Sequence, residues 1–123
     1  MTFKLELTPR RGYLHAVVTG ENTKRNVLAY LAELRKECAA RKCWYVLLEE
    51  RLSGPRLKVR EVVEIVWSVP TRGIGRLPSI AFVDTTARTL SMRLAEAIAT
   101  VRGMQVWMFR TVAEAEHWLC HAG

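Results

Sequence analysis

Long apolar runs are missing from this sequence. No segment of its 123 residues approaches the roughly 18 apolar residues that a membrane-spanning helix needs. Residues 1–10 alternate between apolar and polar side chains, where a secretory signal peptide would have an apolar block. We therefore expect a cytoplasmic protein with no membrane span.

Cysteine is scarce, and its pattern excludes two kinds of covalent or metal cross-link. The three cysteines are Cys38, Cys43 and Cys120, an odd number whose spacing fits neither a disulfide framework nor a zinc site. His117 and His121 lie four residues apart and would share a helix face, but only Cys120 or Glu114 could complete a metal site with them, which disfavours metal binding. We expect reduced thiols, no metal and no cofactor.

The sequence also lacks the motifs of common catalytic sites. It has no Gly-x-Ser-x-Gly elbow, no phosphate-binding loop and no paired cysteine motif. Glu49 and Glu50 are adjacent, so on an extended segment their side chains point to opposite faces. One of them can share a crevice with Asp84, where paired acids can do acid–base chemistry or cap helices. A small hydrolase or transferase that uses Asp84 or Glu50 is therefore one alternative.

Basic residues are in excess, 19 against 12 acidic ones, for a net charge of +7. Such a field can attract nucleic acid, acidic protein surfaces or anionic lipid. The basic residues are scattered, however, and nucleic-acid binders usually concentrate charge on one element and add stacking aromatics. A solvated surface is the favoured interpretation, nucleic acid is disfavoured as a partner, and electrostatic binding to nucleic acid or anionic lipid is kept as an alternative.

The first part of the chain predicts two strands. Phe3, Leu5 and Leu7 alternate with polar residues, the period of a half-buried strand. A second run spans Tyr13–Val18, after a break that contains Pro9 and Gly12. The two runs are close enough in sequence to form an antiparallel hairpin.

The rest of the chain alternates strand-length apolar runs with helical periodicity. The runs are Trp44–Leu48, Ser79–Val83 and Met104–Phe109. This alternation predicts an α/β fold in one domain over residues 1–123: a mixed five-stranded sheet with an antiparallel first strand, parallel β-α repeats and four helices. Ligands of such sheets bind at the loops that follow the carboxyl ends of the strands.

Helix caps and apolar stripes complete the secondary-structure prediction. Asn22 or Thr23 can cap the first helix, and Thr111 with Glu114 forms a capping box for the last. The predicted buried stripes of the first three helices are Val27, Leu28, Leu31, Leu34 and Cys38; Val59, Val62, Val63 and Val66; and Leu90, Leu94, Ala97, Ile98 and Val101.

The element order, and the closing segment Met104–Leu119 with its Ala-rich helix ending in Trp-Leu, resemble the STAS-like domains. This family includes the sporulation anti-sigma factor antagonist, and the resemblance covers the whole chain. In phosphorylated antagonists a serine in an Asp-Ser-Ser-Gly type motif after the third strand is the kinase target. Here that region reads Glu50-Arg51-Leu52-Ser53-Gly54-Pro55, which keeps one Ser-Gly and lacks the Asp-Ser pair. The resemblance implies Ser53 as the phosphorylation site.

These observations predict a non-enzymatic STAS-like module of regulatory type. It would bind a protein partner, or a small apolar or anionic ligand, at the loops after the third and fourth strands. Trp67 is predicted to rim a pocket or a homodimer contact. The predicted binding residues are Ser53, Arg56, Trp67, Asp84, Thr85, Thr86 and Arg88.

Overall fold

The computed structural model describes residues 3–71, 75–84 and 89–122. Five strands and four helices follow one another in the predicted order: two strands first, then helices alternating with strands. Their bounds are β1 (Phe3–Arg10), β2 (Tyr13–Glu21), α1 (Lys24–Arg41), β3 (Tyr45–Ser53), α2 (Val59–Ser68), β4 (Ser79–Val83), α3 (Leu90–Val101), β5 (Val106–Phe109) and α4 (Val112–Ala122).

The strands form one mixed sheet in the order β1-β2-β3-β4-β5. β1 and β2 are an antiparallel hairpin whose tight turn uses Gly12 at φ +86°, a conformation that costs glycine little. The other neighbouring pairs are parallel. The predicted α/β class and mixed sheet are confirmed.

Strand β3 is longer than its apolar run predicts. The predicted run Trp44–Leu48 stops five residues short of the end of the strand, because β2 pairs with β3 through Ser53, with Glu21 opposite Ser53. The backbone ladder therefore extends the strand past the point where its side chains become polar. Glu49 and Glu50 consequently lie within an extended segment and face opposite sides of the sheet, as expected.

The sheet separates two cores of unequal size. On one face, α1 packs over the strands with α2 beside it, and the fully buried Tyr30, Leu34 and Cys38 of α1 meet Val46 and Leu48 of β3. On the other face, α4 covers Leu47, Ala81 and Val83 with Ala115 and Leu119. Helix α3 lies on the same face as α1 and α2, because its residues line a cavity together with theirs.

The predicted stripe of α3 is displaced by one residue. Ser91, Ala95 and Ala99 are buried, whereas Leu90 is 67% exposed and Val101 is 81% exposed. Helix α3 packs against both α2 and β5, and its three buried side chains are all small. In α2 the buried pair is likewise Val62 and Ile65, and the predicted Val59 is 40% exposed.

Side-chain hydrogen bonds satisfy backbone N–H groups at the start of α1 and at the edge of the sheet. Thr23 caps α1 by accepting from the Asn26 amide at 3.1 Å, as predicted. At the sheet edge, the Glu96 carboxylate accepts from the backbone N–H of Met108 in β5 at 2.8 Å. None of the helices, as far as the chain is described, combines the length and the apolarity needed to cross a membrane.

Candidate functional site

A cavity of about 410 Å³ lies between the sheet and helices α1, α2 and α3. Its size is in the range of pockets that hold small organic molecules. Almost all of the side chains that line it are apolar. They include Val27, Leu28 and Leu31 of α1, Val62, Ile65 and Val66 of α2, Ile80 and Phe82 of β4, Met92, Ala95 and Ala99 of α3, and Val106 and Met108 of β5.

The roof of the cavity is α2, which packs against α1 and α3 rather than resting directly on the strands. An ion pair between Lys24 Nζ and Glu64 Oε1, at 3.2 Å, joins α1 to α2. Val62 and Ile65 are buried toward the cavity. The cavity is therefore bounded by α2 on one side and by the sheet on the other, with α1 and α3 beside it.

Arg102, at the carboxyl end of α3, is hydrogen-bonded to the carboxyl end of α2. Its Nη1 donates to the backbone oxygens of Val66, Trp67 and Val69 at 2.9, 3.0 and 2.8 Å. The same guanidinium lies 5.2 Å from the centre of the Trp67 ring, a cation–π contact. The last carbonyls of a helix have no partner within it, so Arg102 supplies the hydrogen bonds that α2 lacks at this end.

Glu50 and Tyr30 form the polar end of the cavity. Tyr30 has no exposed surface, and its hydroxyl donates to Oε2 of Glu50. Burial raises the pKa of Glu50 to about 7, the nearby charge of Asp84 adds to that increase, and the hydrogen bond from Tyr30 opposes it. Burial, together with the nearby carboxylates of Glu50 and Asp84, holds the pKa of Tyr30 well above its usual value. Of the two glutamates, Glu50 is the one that interacts electrostatically with Asp84, but Asp84 does not line the cavity, so a shared crevice stays a prediction.

Tyr30 is the residue of this site that the sequence prediction missed. The predicted stripe of α1 counted aliphatic residues and cysteine, whereas the buried positions are Asn26, Val27, Tyr30, Leu34 and Cys38. Four of these recur at intervals of four residues, which is a helical spacing. That spacing was the available signal for burial of Tyr30, but nothing in it identifies Glu50 as the partner.

The predicted binding residues are only partly brought together. Ser53 is exposed and donates from its hydroxyl to the backbone oxygen of Gly20 at 3.1 Å, and Arg56 is exposed nearby in the chain. Asp84 follows β4 and interacts electrostatically with Glu50. Trp67, 56% exposed, lies near the far end of α2, roughly 12 Å along the helix axis from its start. The predicted Thr85, Thr86 and Arg88 lie outside the described residues.

Ser53 is also separated from the helix that follows it. The first residue of α2 is Val59, and its N-cap is Lys58. The favourable field of a helix N-terminus falls off within the first turn. A phosphate on Ser53 would therefore gain little from α2, and phosphorylation at Ser53 stays a prediction.

A second polar cluster lies on the opposite face of the sheet. His15 Nε2 is 2.7 Å from Glu49 Oε1, and Arg51 Nη2 donates to Glu49 Oε2 at 2.7 Å. Burial acts to raise the pKa of Glu49, but the hydrogen bonds from Arg51 and His15 outweigh it, so the pKa is lowered. The sheet separates this cluster from Glu50, so the two adjacent glutamates cannot act on one substrate.

The described residues contain no group of three or more His, Cys, Asp or Glu side chains that could hold a metal ion. Comparison with protein-family models and with curated proteins finds no match to the chain. Function is therefore inferred from the geometry of the cavity and its polar end.

Proposed function

We propose that the protein is a non-enzymatic STAS-like module that binds a small, mainly apolar molecule in the cavity beneath α2. The observation that carries this proposal is a cavity of about 410 Å³ with an apolar lining and one acidic group, Glu50, beside a buried tyrosine hydroxyl. Ligand pockets commonly combine an apolar lining with a few polar groups that orient the ligand. The order of strands and helices supports the STAS-like part of the proposal.

The apolar lining is sufficient to supply the binding energy. A ligand that buried about 300 Å² of apolar surface would gain roughly 7 kcal/mol from the hydrophobic effect. Loss of translational and rotational freedom subtracts from this gain, and a tight fit adds to it. We expect dissociation constants of about 1–100 μM for a simple apolar compound.

The site also adjoins the loops at which a protein partner was predicted. Glu50 is three residues from Ser53 along β3, and Asp84 directly precedes residues 85–88. A ligand at the Glu50 end of the cavity would thus lie beside the strand ends that lead into both loops. We propose that a protein partner at these loops would respond to occupancy of the cavity.

The proposal is tested with N-phenyl-1-naphthylamine, a neutral fluorophore whose emission rises in apolar surroundings. Wild-type protein should bind it saturably with one-to-one stoichiometry. Val62→Phe places a larger side chain in the cavity and should weaken binding by at least about tenfold. Val59→Phe is the matched control, because Val59 is on the same helix, is 40% exposed and does not line the cavity.

Thermal unfolding of both variants should accompany the titration, so that loss of binding is scored only on folded protein. A wild-type protein that shows no saturable fluorescence change would contradict the proposal. Equal weakening by Val62→Phe and Val59→Phe would contradict it as well, because the fluorophore would then bind elsewhere.

A further inference from the structure

One oxygen of the Glu50 carboxyl group has no protein donor among the described residues. Tyr30 donates to Oε2. Oε1 takes part in no hydrogen bond with the described part of the chain, and the side chain lines the cavity. Every fully buried polar side-chain atom in the described residues is satisfied, so this oxygen keeps access to the cavity or to solvent. A ligand that donates a hydrogen bond would complete the carboxyl group.

The charges around this oxygen favour a cation over an anion. Asp84 interacts repulsively with Glu50 from the end of β4. The titratable side chains that line the cavity are Tyr30 and Arg35 of α1 and Glu50 of β3, and the described residues of α2 and α3 contribute none. A carboxylate placed beside Glu50 would therefore be repelled by that acid, whereas an ammonium group would be attracted to it.

Arg35 is the competing anchor, because a carboxylate-bearing ligand could pair with its guanidinium. Arg35 follows Leu31 by one helical turn and is only partly buried, and a long arginine side chain can keep its charged end in water. Glu50, in contrast, is held by a hydrogen bond from a tyrosine with no exposed surface. The fixed polar anchor of the cavity is the acid.

We propose that the ligand is an apolar molecule with a basic nitrogen at one end, which donates to Oε1 of Glu50 while its apolar body fills the space beneath α2. This inference rests on the proposed function, since it names the chemical class that the same cavity would accept. It does not depend on Ser53 or on the residues after Asp84.

Three compounds of equal chain length separate the possibilities: decan-1-amine, decan-1-ol and decanoate. Each is titrated directly by calorimetry at about pH 8, where Glu50 is ionised and the amine is protonated. The amine should bind about tenfold more tightly than the alcohol, and decanoate should bind most weakly. At about pH 5.5, where Glu50 is protonated, the advantage of the amine should shrink to about twofold or less.

Glu50→Gln tests the named contact, and Glu49→Gln is the matched control on the opposite face of the sheet. Glu50→Gln should abolish the preference for the amine, and Glu49→Gln should preserve it. If decanoate binds most tightly and Arg35→Gln removes its advantage, the head group lies at Arg35 and the inference is overturned while the proposed function stands. If all three compounds bind equally, the inference fails alone. If none binds, the proposed function fails with it.

Discussion

Adjacent residues Glu49 and Glu50 have opposite electrostatic environments because a strand sends neighbouring side chains to opposite faces. Glu49 meets His15 and Arg51, and its pKa is lowered. Glu50 meets a buried hydroxyl and another acid, and its pKa rises to about 7. The two residues therefore contribute to stability with opposite dependence on pH.

Glu50→Gln should make the protein more stable at alkaline pH. The ordinary pKa of the carboxyl group is 4.5 and the folded-state value is about 7, so the folded state holds the proton more strongly. Stability of the wild type should fall as pH rises from about 4.5 to 7, by up to about 3 kcal/mol, and the neutral glutamine should avoid this loss. Urea unfolding near pH 5 and pH 8 measures the difference, which should be larger at the higher pH.

Glu49→Gln is the control, because it should change stability in the direction opposite to Glu50→Gln. A lowered folded-state pKa gives stability that is present above the ordinary pKa and is lost as pH falls through the folded value. This variant should be less stable than the wild type near neutral pH, with a deficit that shrinks in acid. If both variants shifted stability in the same direction at pH 8, the assignment of the two environments would be wrong.

At the scale of elements, the roof helix α2 depends on one arginine outside it. Arg102→Ala should leave the final carbonyls of α2 unpaired and lower stability by about 2–3 kcal/mol. Amide hydrogen exchange should quicken in the last turn of α2 more than in α4. Arg102→Lys keeps the charge but not the planar set of donors and should give an intermediate effect.

Arg60→Ala is a suitable comparison, because Arg60 is an exposed residue near the start of the same helix. It should leave both stability and exchange nearly unchanged. Exchange in α2 that is as slow in Arg102→Ala as in Arg60→Ala would show that the roof does not rely on this anchor.

The elements themselves were predictable, because each has a strong local pattern. Alternation in β1, the apolar run of β4 and the cap at Thr23 all depend on near neighbours in sequence. The length of β3 could not be predicted from local pattern, because it depends on pairing with β2. The buried stripe of α3 could not be predicted either, because it depends on packing against α2. A local sequence pattern contains no information about which strand or helix packs against an element, or at what distance.

The same limit applies to the candidate site at the scale of the molecule. Asp84 and one of the two adjacent glutamates could be placed at one sheet edge, because they follow apolar runs in the sequence. The cavity could not be predicted, because it depends on where α1 and α3 hold α2. Tyr30 joins the site only after α1 has packed across the sheet, twenty residues before Glu50 in the chain.

The whole-molecule charge provides a test against the electrostatic alternative. A net charge of +7 would make binding to nucleic acid or anionic lipid fall steeply with salt. Binding of N-phenyl-1-naphthylamine in the cavity should change by less than about twofold between roughly 50 and 500 mM salt, because a neutral ligand gains nothing from that field. Fluorescence titration across this range is the measurement, and a steep loss of affinity would favour the alternative.

The hydrogen bond that the Met108 N–H donates to Glu96 limits the addition of further strands to the sheet. Exposed edge strands can recruit strands from other chains and so start aggregation. Here a carboxylate already occupies an edge hydrogen-bond donor of β5, and an incoming strand would have to displace it and bury its charge. Self-association through β5 is therefore opposed by the chain itself, and any second copy should meet the molecule at another surface.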